Sequence, residues 1–412
     1  MLARLSFSVA LATSVLFGTS ALAGENDPLQ IFVSKDTQSL VVYDGDRVVA
    51  TSNVSTGKAG HTTPSGIFSI LEKKKTHFSN LYDSAPMPYM QRLTWSGIAL
   101  HESHHVPSYP ASHGCVRMPR KFAKELYAMT RRGFHVVISD REVAPRVVDS
   151  ERLFVPRYGQ PEAELMSDAD LRPSIDADGT VEVAMAESLP KLGATAVAQL
   201  PKQPEPVKIL ITRTAQKDRV LTVQKMLDRL GYDVGAIDGV YGKQMKAAIA
   251  AYQELHGQKP TGEMTREFIT SLYKVMNHKE PTGWLYVRRN FKPVFDAPVE
   301  IRDPELALGT HFLLATNVNP AQNAVTWTGV TLDNHIPAKT AERLGIKRFA
   351  ETADDNTVEK ALERVDIPAE LREKIETMLG SGSSITITDT GIEQETGLGT
   401  DFITITRRAP RA

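Results

Sequence analysis

The chain has 412 residues, of which 41% are hydrophobic, enough for two or three domains with buried cores. Lys and Arg number 48 and Asp and Glu 49. The formal charge of −1 therefore argues against a nucleic-acid-binding protein, which would carry a basic surplus. The single cysteine, Cys115, excludes an intramolecular disulfide and any metal site built from several thiolates.

Residues 1–23 have the pattern of a secretory signal peptide. One charge, Arg4, precedes an apolar stretch from Leu5 to Phe17, and the small residues Ala21 and Ala23 are typical of a cleavage site. The stretch is shorter than the about 20 apolar residues that span a bilayer, and a retained membrane anchor is the alternative. We therefore expect an exported protein that has no membrane contact once the signal is removed.

Residues 29–140 are predicted to form a mainly β domain with one packed helix. Asp44-Gly45 is a tight-turn signal and predicts a hairpin between two of the strands. The helix is expected over 121–132, with Gly133 as its C-terminal stop. Apolar, β-branched runs predict the strands at 30–35, 39–44, 47–54, 66–71, 95–100 and 134–138.

The rest of the chain divides into three regions. Residues 141–212 are rich in Ala, Asp and Pro and predict an extended linker, part of which could instead pack along a domain surface. Residues 213–278 show three helical patterns, with a glycine-dense loop, GAIDGVYG, between the first two. Residues 283–412 mix predicted strands (FLLATNV, AVTWTGVTL, SITIT, FITIT) with a helix opened by Pro368. The predicted fold class is therefore multidomain: a mainly β domain, a small three-helix bundle and an α+β C-terminal region of unassigned function.

Chemistry is concentrated in residues 97–120, which hold four of the eleven histidines and the only cysteine. A cysteine with a pKa of about 8.5 needs a neighbouring base to attack a carbonyl. His101 can serve if the loop folds back, and His113 can serve if the backbone is extended. Gly114 would let a substrate carbonyl approach backbone N–H groups, a potential oxyanion hole. The alternative is a buried thiol beside a core histidine.

A competing pattern overlaps this segment, because His101-Glu102-Ser103-His104-His105 matches the H-E-x-x-H sequence of zinc peptidases. That site needs a helix, which puts both histidines on one face. Gly97, Pro107 and a preceding predicted strand disfavour a helix here. We therefore expect no metal, with a zinc peptidase using His101 and His105 as the alternative.

The same segment resembles the active-site signature of the L,D-transpeptidases with a YkuD-type catalytic domain. Thirteen residues separate His101 from Cys115, which ends Ser112-His113-Gly114-Cys115 and is followed by Val116-Arg117. Upstream, residues 63–68 (TPSGIF) resemble the family's T-P-x-G-x-[FY] segment. The resemblance covers about residues 29–140 and implies a β-sandwich with a packed helix.

The resemblance also implies the roles of individual residues. Cys115 would be the nucleophile and His101 the general acid/base, with His113 as a further catalytic residue. Ser112, Gly114 and the backbone carbonyl of Glu102 would orient the site and the oxyanion, although many members have Gly or Ala in place of Glu102. The expected substrate-binding residues are Arg117, whose alternative is an ion pair at the helix start, and Tyr109. The resemblance implies no metal or organic cofactor.

The helical region resembles the type 1 peptidoglycan-binding module. The alternative is a bundle kept only as a spacer. The matching residues are Leu227, Leu230, Gly231, Tyr232, Gly235, Ile237, Asp238, Gly239, Gly242, Ala248, Ile249, Tyr252 and Gln253.

Together the two resemblances imply an exported cysteine L,D-transpeptidase in the periplasm, associated with the cell wall. Its donor would be the tetrapeptide stem of peptidoglycan, and carbapenems are expected to acylate it. The acceptor would be another stem, giving a 3-3 cross-link, or an amine of an envelope protein. With water as the acceptor, the alternative is an L,D-carboxypeptidase or endopeptidase. A catalytically silent peptidoglycan-binding protein is the more distant alternative.

Overall fold

The computed structural model describes residues 28–79, 84–157, 204–333, 335–350, 356–393, 395–397 and 399–407. The expected signal peptide and the part of the expected linker from 158 to 203 lie outside these residues. Within the described ranges, no helix is long and apolar enough to cross a bilayer.

Ten strands and one helix occur in the described part of residues 28–157. They are β1 (Gln30–Ser34), β2 (Ser39–Asp44), β3 (Arg47–Asn53), β4 (Ser65–Ser69), β5 (Glu72–Lys74), β6 (Met90–Arg92), β7 (Ala99–Glu102), β8 (Val116–Met118), α1 (Arg120–Met129), β9 (His135–Ser139) and β10 (Arg146–Val147).

The described part of the chain from 204 onward alternates strands with six helices. The elements are β11 (Val207–Arg213), α2 (Gln216–Arg229), α3 (Lys243–Leu255), α4 (Arg266–Val275), β12 (Gly283–Arg289), β13 (Lys292–Ile301), β14 (Thr310–Asn319), β15 (Ala324–Leu332), α5 (Ala338–Arg343), α6 (Val358–Glu363), β16 (Val365–Asp366), α7 (Ala369–Glu376), β17 (Ser384–Thr388) and β18 (Thr404–Arg407).

Two sheets enclose the core of the predicted β domain. The larger has the strand order β18-β4-β9-β1-β2-β3, and the smaller has the order β5-β6-β7-β8. Helix α1 packs its Phe122, Ala123 and Leu126 into the core between them. The predicted mainly β domain with a packed helix is thus confirmed, within a multidomain chain.

Two predicted elements of this domain have different limits. The strand predicted over 95–100 begins only at Ala99, because residues 94–97 form a turn in which the Gly97 N–H donates to the Thr94 carbonyl. The predicted helix ends at Met129 rather than Arg132, because Thr130 has an extended backbone and its hydroxyl donates to the Leu126 carbonyl.

The last strand of the larger sheet comes from the far end of the chain. Strand β18 pairs antiparallel with β4, with Thr404 opposite Ile67. Ile403, immediately before it, is buried in the same core as α1. The pairing requires a glycine at position 66, since a Cβ there would lie 2.1 Å from the Thr404 carbonyl oxygen.

The prediction of a linker up to residue 212 is wrong at its end. Residues 207–213 are all buried and form β11, a central strand of an eight-stranded sheet ordered β10-β15-β14-β17-β11-β12-β13-β16. The start of the predicted linker also packs on this sheet, since β10 pairs with β15. A run rich in Val and Ile favours a buried strand over a solvated linker.

The eight-stranded sheet covers the back of the six-stranded sheet. Phe32, Ile67 and Val137 of the six-stranded sheet share one buried cluster with Phe312 and Val330 of the eight-stranded sheet. Because side chains alternate between the faces of a strand, β1 sends Ile31 and Val33 to one core and Phe32 to the other. Both faces of β1 are therefore buried.

The three predicted helices form a bundle with its own core, which includes Val223, Leu227, Ile249, Tyr252 and Phe268. The bundle is inserted between β11 and β12, which are antiparallel neighbours. The chain therefore leaves the eight-stranded sheet at Arg213 and returns opposite it at Gly283.

Candidate active site

The parallel pairing of β7 with β8 determines which side chains share a face. Leu100 lies opposite Val116 and His101 lies opposite Arg117. Continuing this register by one residue places Cys115, which immediately precedes β8, beside Ala99. Leu100 and Val116 point into the core with α1, so His101, Arg117 and Cys115 lie on the opposite face.

Cys115 and His101 are thus diagonal neighbours on adjacent strands, roughly 8 Å apart between Cα atoms. Side chains at such positions are within reach of each other. The long segment between them folds back as the sequence required, so that the thiol and the imidazole share one surface.

The Cys115 side chain packs against Met87, Met90 and Ala99. Its thiol donates to the Gly97 carbonyl oxygen, 3.3 Å away. Burial raises the pKa of Cys115, and this rise is opposed by a hydrogen bond from the Ala99 backbone and by the charges of Arg92 and Arg117.

His101 is 8% exposed, and its Nδ1 lies 2.7 Å from the carbonyl oxygen of Glu102. Because a carbonyl only accepts, Nδ1 carries the proton and Nε2 is left as an acceptor. Burial lowers the pKa of His101 to about 4, partly offset by that hydrogen bond. His101 is therefore neutral near pH 7.

Both shifts disfavour an ion pair between the two groups at rest. The buried site favours a neutral thiol beside a neutral imidazole. His101 is then in the state in which it can accept a proton.

The loop before Cys115 is held by side-chain and backbone bonds. The Ser112 hydroxyl donates to the Cys115 carbonyl at 2.5 Å and accepts from the Gly114 N–H at 3.1 Å. The Thr63 hydroxyl donates to the Gly114 carbonyl at 2.7 Å. Gly114 has a φ of +115°, which explains why a residue without a Cβ is needed.

The N–H groups of Ser112 and Gly114 are both engaged inside the protein, with the Thr56 carbonyl and the Ser112 hydroxyl respectively. They shape the loop, and a substrate oxyanion would compete with these bonds. The expected oxyanion role of the Ser112–Gly114 backbone therefore stays a prediction.

His113 is exposed, and its ring lies edge-on to His61 with centroids 4.7 Å apart. Burial and the charges of Lys58, His61 and Arg117 lower the pKa of His113. Its position on the rim of the site, where it is open to solvent, fits substrate contact better than proton transfer from a buried thiol.

The remaining expected site residues are placed as follows. Glu102 points away from the site and is 4% exposed, with a carboxylate oxygen 3.9 Å from Arg120 at the start of α1. The ion pair at the start of α1 thus joins Glu102 to Arg120 rather than to Arg117. Arg117 lies in β8 beside His101. Tyr109 is 58% exposed, and its carbonyl accepts from the Ser55 hydroxyl.

The H-E-x-x-H pattern does not have the geometry that a zinc peptidase needs. His101 and Glu102 lie in strand β7 and therefore point to opposite faces, while His105 is in an exposed loop. In the part of the chain that the structure describes, no group of three or more His, Cys, Asp or Glu side chains could hold a metal ion.

Sequence reasoning did not identify Arg92 and Trp95 as site residues. Arg92 lies opposite Ala99 and so shares the face of Cys115, and Trp95 is half exposed in the adjoining turn. Neither belongs to the segment between His101 and Cys115. The closeness of Arg92 to Cys115 follows from strand register, which only the fold supplies, and Trp95 lies beside Arg92.

Two segments of the chain match models of known protein families. Residues 28–138 match the family model YkuD, described as the L,D-transpeptidase catalytic domain. Residues 216–272 match the model described as "Putative peptidoglycan binding domain". No curated protein matches the chain.

Solved structures of L,D-transpeptidases resemble part of the chain. Those from Xylanimonas cellulosilytica and Stackebrandtia nassauensis are each 28% identical, cover 28% and 30% of this chain and 63% and 62% of their own, and have TM-scores of 0.25 and 0.26. One from Mycobacterium smegmatis is 21% identical, covers 27% of this chain and 59% of its own, and has a TM-score of 0.26. The chain thus aligns with less than two thirds of each of these structures. One segment of the chain matches the model of the L,D-transpeptidase catalytic domain, and a second matches the model of a peptidoglycan-binding domain.

Proposed function

We propose that the protein is an exported, periplasmic L,D-transpeptidase that acts on peptidoglycan through a thioester on Cys115. The observation that carries the proposal is the β7–β8 register, which puts Cys115 and His101 on one face beside Arg117. The matches to a catalytic-domain model and to a peptidoglycan-binding model support the substrate class.

In the first half-reaction, His101 Nε2 takes the Cys115 proton as the sulfur attacks the carbonyl carbon of the third residue of a tetrapeptide stem. Burial leaves both groups in the neutral states from which this transfer starts, and it also makes the transfer uphill, because it lowers the pKa of His101 and raises the pKa of Cys115. His101 then gives the proton to the leaving amine, and the fourth residue departs as a free D-amino acid. The backbone N–H of Cys115 would lie next to the developing oxyanion.

In the second half-reaction, an acceptor amine loses its proton to His101 and attacks the thioester carbonyl. Collapse forms the new amide bond, and the thiolate leaving group takes the proton back from His101. The acceptor is the amine of a second stem, which gives a 3-3 cross-link, or an amine of an envelope protein. Water in its place would give carboxypeptidase activity.

The test is to incubate the purified protein with disaccharide-tetrapeptide and to identify the products by mass spectrometry. We expect a cross-linked dimer with loss of one D-amino acid. A product shortened by one residue without a dimer would indicate hydrolysis instead. Unchanged substrate would refute the proposal in favour of a protein that only binds the wall.

The nucleophile is tested with Cys115→Ser, which keeps the shape of the side chain but removes the thiol. Intact-mass measurement after exposure to a carbapenem should show one adduct on the wild type and none on the variant. An adduct that survives in Cys115→Ser would contradict the assignment.

The base is tested with His101→Ala, against His104→Ala as a control on an exposed histidine. General acid–base catalysis typically contributes about 10²–10⁴-fold, so His101→Ala should slow carbapenem acylation by at least about 100-fold. His104→Ala should stay within about twofold of the wild type. A larger effect of His104→Ala would show that the wrong histidine was assigned.

A further inference from the structure

Strand register places an arginine at the same level of the sheet as the proposed nucleophile. Arg92 of β6 lies opposite both Glu72 of β5 and Ala99 of β7. Ala99 in turn neighbours Cys115. Glu72, Arg92, Ala99 and Cys115 therefore form one row across the four-stranded sheet, on the face that also carries His101.

The contacts of Arg92 fix its guanidinium but do not saturate it. Its Nε donates to Glu72 at 3.0 Å, and its Nη2 donates to His77 Nε2 at 3.4 Å. A guanidinium has five N–H donors, so three of them have no partner among the described residues. The side chain is 15% exposed, so part of the group is open to solvent.

Glu72 does not neutralise Arg92 alone, because it also pairs with Lys74 Nζ at 2.9 Å. Lys74, Arg92 and Arg117 against Glu72 leave this face with an excess of positive charge. The charge of Arg92 also lowers the pKa of Cys115 against the effect of burial. The excess positive charge favours a substrate anion on this face, and the charge of Arg92 also favours the thiolate form of Cys115 itself.

Trp95 lies next to the Arg92 guanidinium. Its ring centroid lies 5.8 Å from Arg92 Cζ, and half of its side chain is exposed. Its backbone N–H donates at 3.1 Å to the carboxylate of Glu395, which comes from the C-terminal region. The guanidinium thus contacts a carboxylate, an imidazole and an indole, and three of its N–H groups have no partner among the described residues.

We propose that the Arg92 guanidinium binds a carboxylate of the donor stem and so selects and positions that stem at Cys115. The inference rests on the function proposed above. Where the third residue of the stem is a diamino-dicarboxylic acid, the stem presents two carboxylates near the scissile carbonyl: the terminal carboxylate of the leaving residue and the side-chain carboxylate of this diamino-acid residue. A planar fork of donors matches either one.

The experiment compares three synthetic donor stems: one with both carboxylates free, one with the terminal carboxylate amidated, and one with the diamino-acid carboxylate amidated. We expect the full-length wild type to lose at least about tenfold in kcat/KM on one of the two amidations, since charge-assisted hydrogen bonds are the strong ones. The amide that causes the loss identifies the carboxylate that is bound.

Arg92→Gln should lower kcat/KM for the free acid by at least about tenfold and should no longer distinguish it from that amide. Discrimination against the other amide should stay as in the wild type. Arg92→Lys, which can keep the ion pair with Glu72, should retain the charge but lose most of the discrimination, because an ammonium lacks the fork. Lys74 is the other cation that pairs with Glu72. Lys74→Gln removes its positive charge and should discriminate between the free acid and the amides as the wild type does.

Arg92 variants that discriminate like the wild type would overturn the inference, as would a wild type that is indifferent to both amidations. Equal loss of discrimination in Lys74→Gln would do the same, because net charge rather than Arg92 would then be responsible. A wild type that turns over none of the stems would instead refute the proposed function, so the two failures are distinguishable.

Discussion

The six-stranded sheet and the helical bundle are assembled from the chain in opposite ways. The bundle is continuous in sequence, from Gln216 to Val275, and its core is made of its own side chains. The sheet takes its sixth strand from residues 404–407, and its second face is covered by β14 and β15. The bundle could be recognised as a unit from its sequence, whereas the six-stranded sheet is completed by segments that are distant in the chain.

The difference shows that a match to a family model need not mark a self-sufficient unit. The catalytic-domain match ends at residue 138, yet Ile403 belongs to the core inside that match. The bundle has the reverse property, because it interrupts a sheet whose strands β11 and β12 pair on either side of it. We therefore expect truncation of the chain after the catalytic-domain match to be much more damaging than deletion of the bundle.

The largest expected effect comes from expressing residues 24–142 alone. This fragment lacks Ile403 and the Phe312 cluster, so it exposes the buried back face of the sheet, including Phe32 and Val137. Each fully buried large apolar side chain contributes roughly 1.5–3 kcal/mol, and several such losses rival a total stability of about 5–15 kcal/mol. We expect an insoluble or unfolded fragment by circular dichroism.

A chain ending at Gly391 removes β18 and the segment before it, and should lose roughly 3–6 kcal/mol in urea unfolding, at about 1.5–3 kcal/mol for each of the buried side chains of Phe402 and Ile403. If the fragment 24–142 is folded and is acylated by a carbapenem at the full-length rate, the C-terminal region is dispensable. The six-stranded sheet would then not need the distant segments that complete it.

Next in size is the loss of stability on acidification. The folded pKa of His101 and of His311 is about 4, against 6.5 for an ordinary histidine, because both are buried. The unfolded chain therefore binds these protons first, so stability is full above pH 6.5 and is lost as the pH falls towards 4. Each of the two histidines should lower the free energy of unfolding by about 3 kcal/mol between pH 6.5 and pH 4.

Urea unfolding followed between pH 7 and pH 4 should show this loss, and His101→Gln should reduce it by about 3 kcal/mol. In hydrogen exchange, the protection of the four-stranded and eight-stranded sheets, which contain His101 and His311, should fall before that of the bundle, whose histidines, His256 and His278, are not buried. Equal pH dependence in wild type and His101→Gln would contradict the burial argument.

A smaller effect is expected at the junction of β4 and β18. In Gly66→Ala the new methyl would meet the Thr404 carbonyl, so β18 must shift. Overpacking of this kind costs about 1–3 kcal/mol, measurable as a lower urea midpoint. Gly242→Ala in the bundle has no atom within 4 Å of the new Cβ and should cost less than about 1 kcal/mol. A larger loss in Gly242→Ala would reverse the expected order.

The smallest effect on catalysis is expected from removing the bundle. Thr214 and Thr282 lie next to the last pair of β11 and β12, Arg213 and Gly283. Replacing residues 215–281 by Asn-Gly should close a two-residue hairpin. Carbapenem acylation should stay within about twofold, while pelleting with purified sacculi should fall because the matched binding segment is gone. Acylation slowed by about tenfold would show that the bundle supports the active site.

The sequence by itself determined the local features of this protein. The hairpin of β2 and β3, the helix α1, the three helices of the bundle and the fold class follow from periodicity and turn residues that act over a few positions. The candidate site around Cys115 and His101 could also be predicted from local sequence, because most of its residues lie within one stretch of about twenty residues.

Tertiary structure alone decided the contacts between segments far apart in the chain. An all-buried run such as 207–213 fits a central strand, but its partners β12 and β17 are fixed only when the sheets form. Arg92 joins Cys115 through strand register, and β18 joins β4 across more than 300 residues. The protonation states of Cys115 and His101 are likewise set by burial, because desolvation depends on what the fold packs around a group and not on its neighbours in sequence.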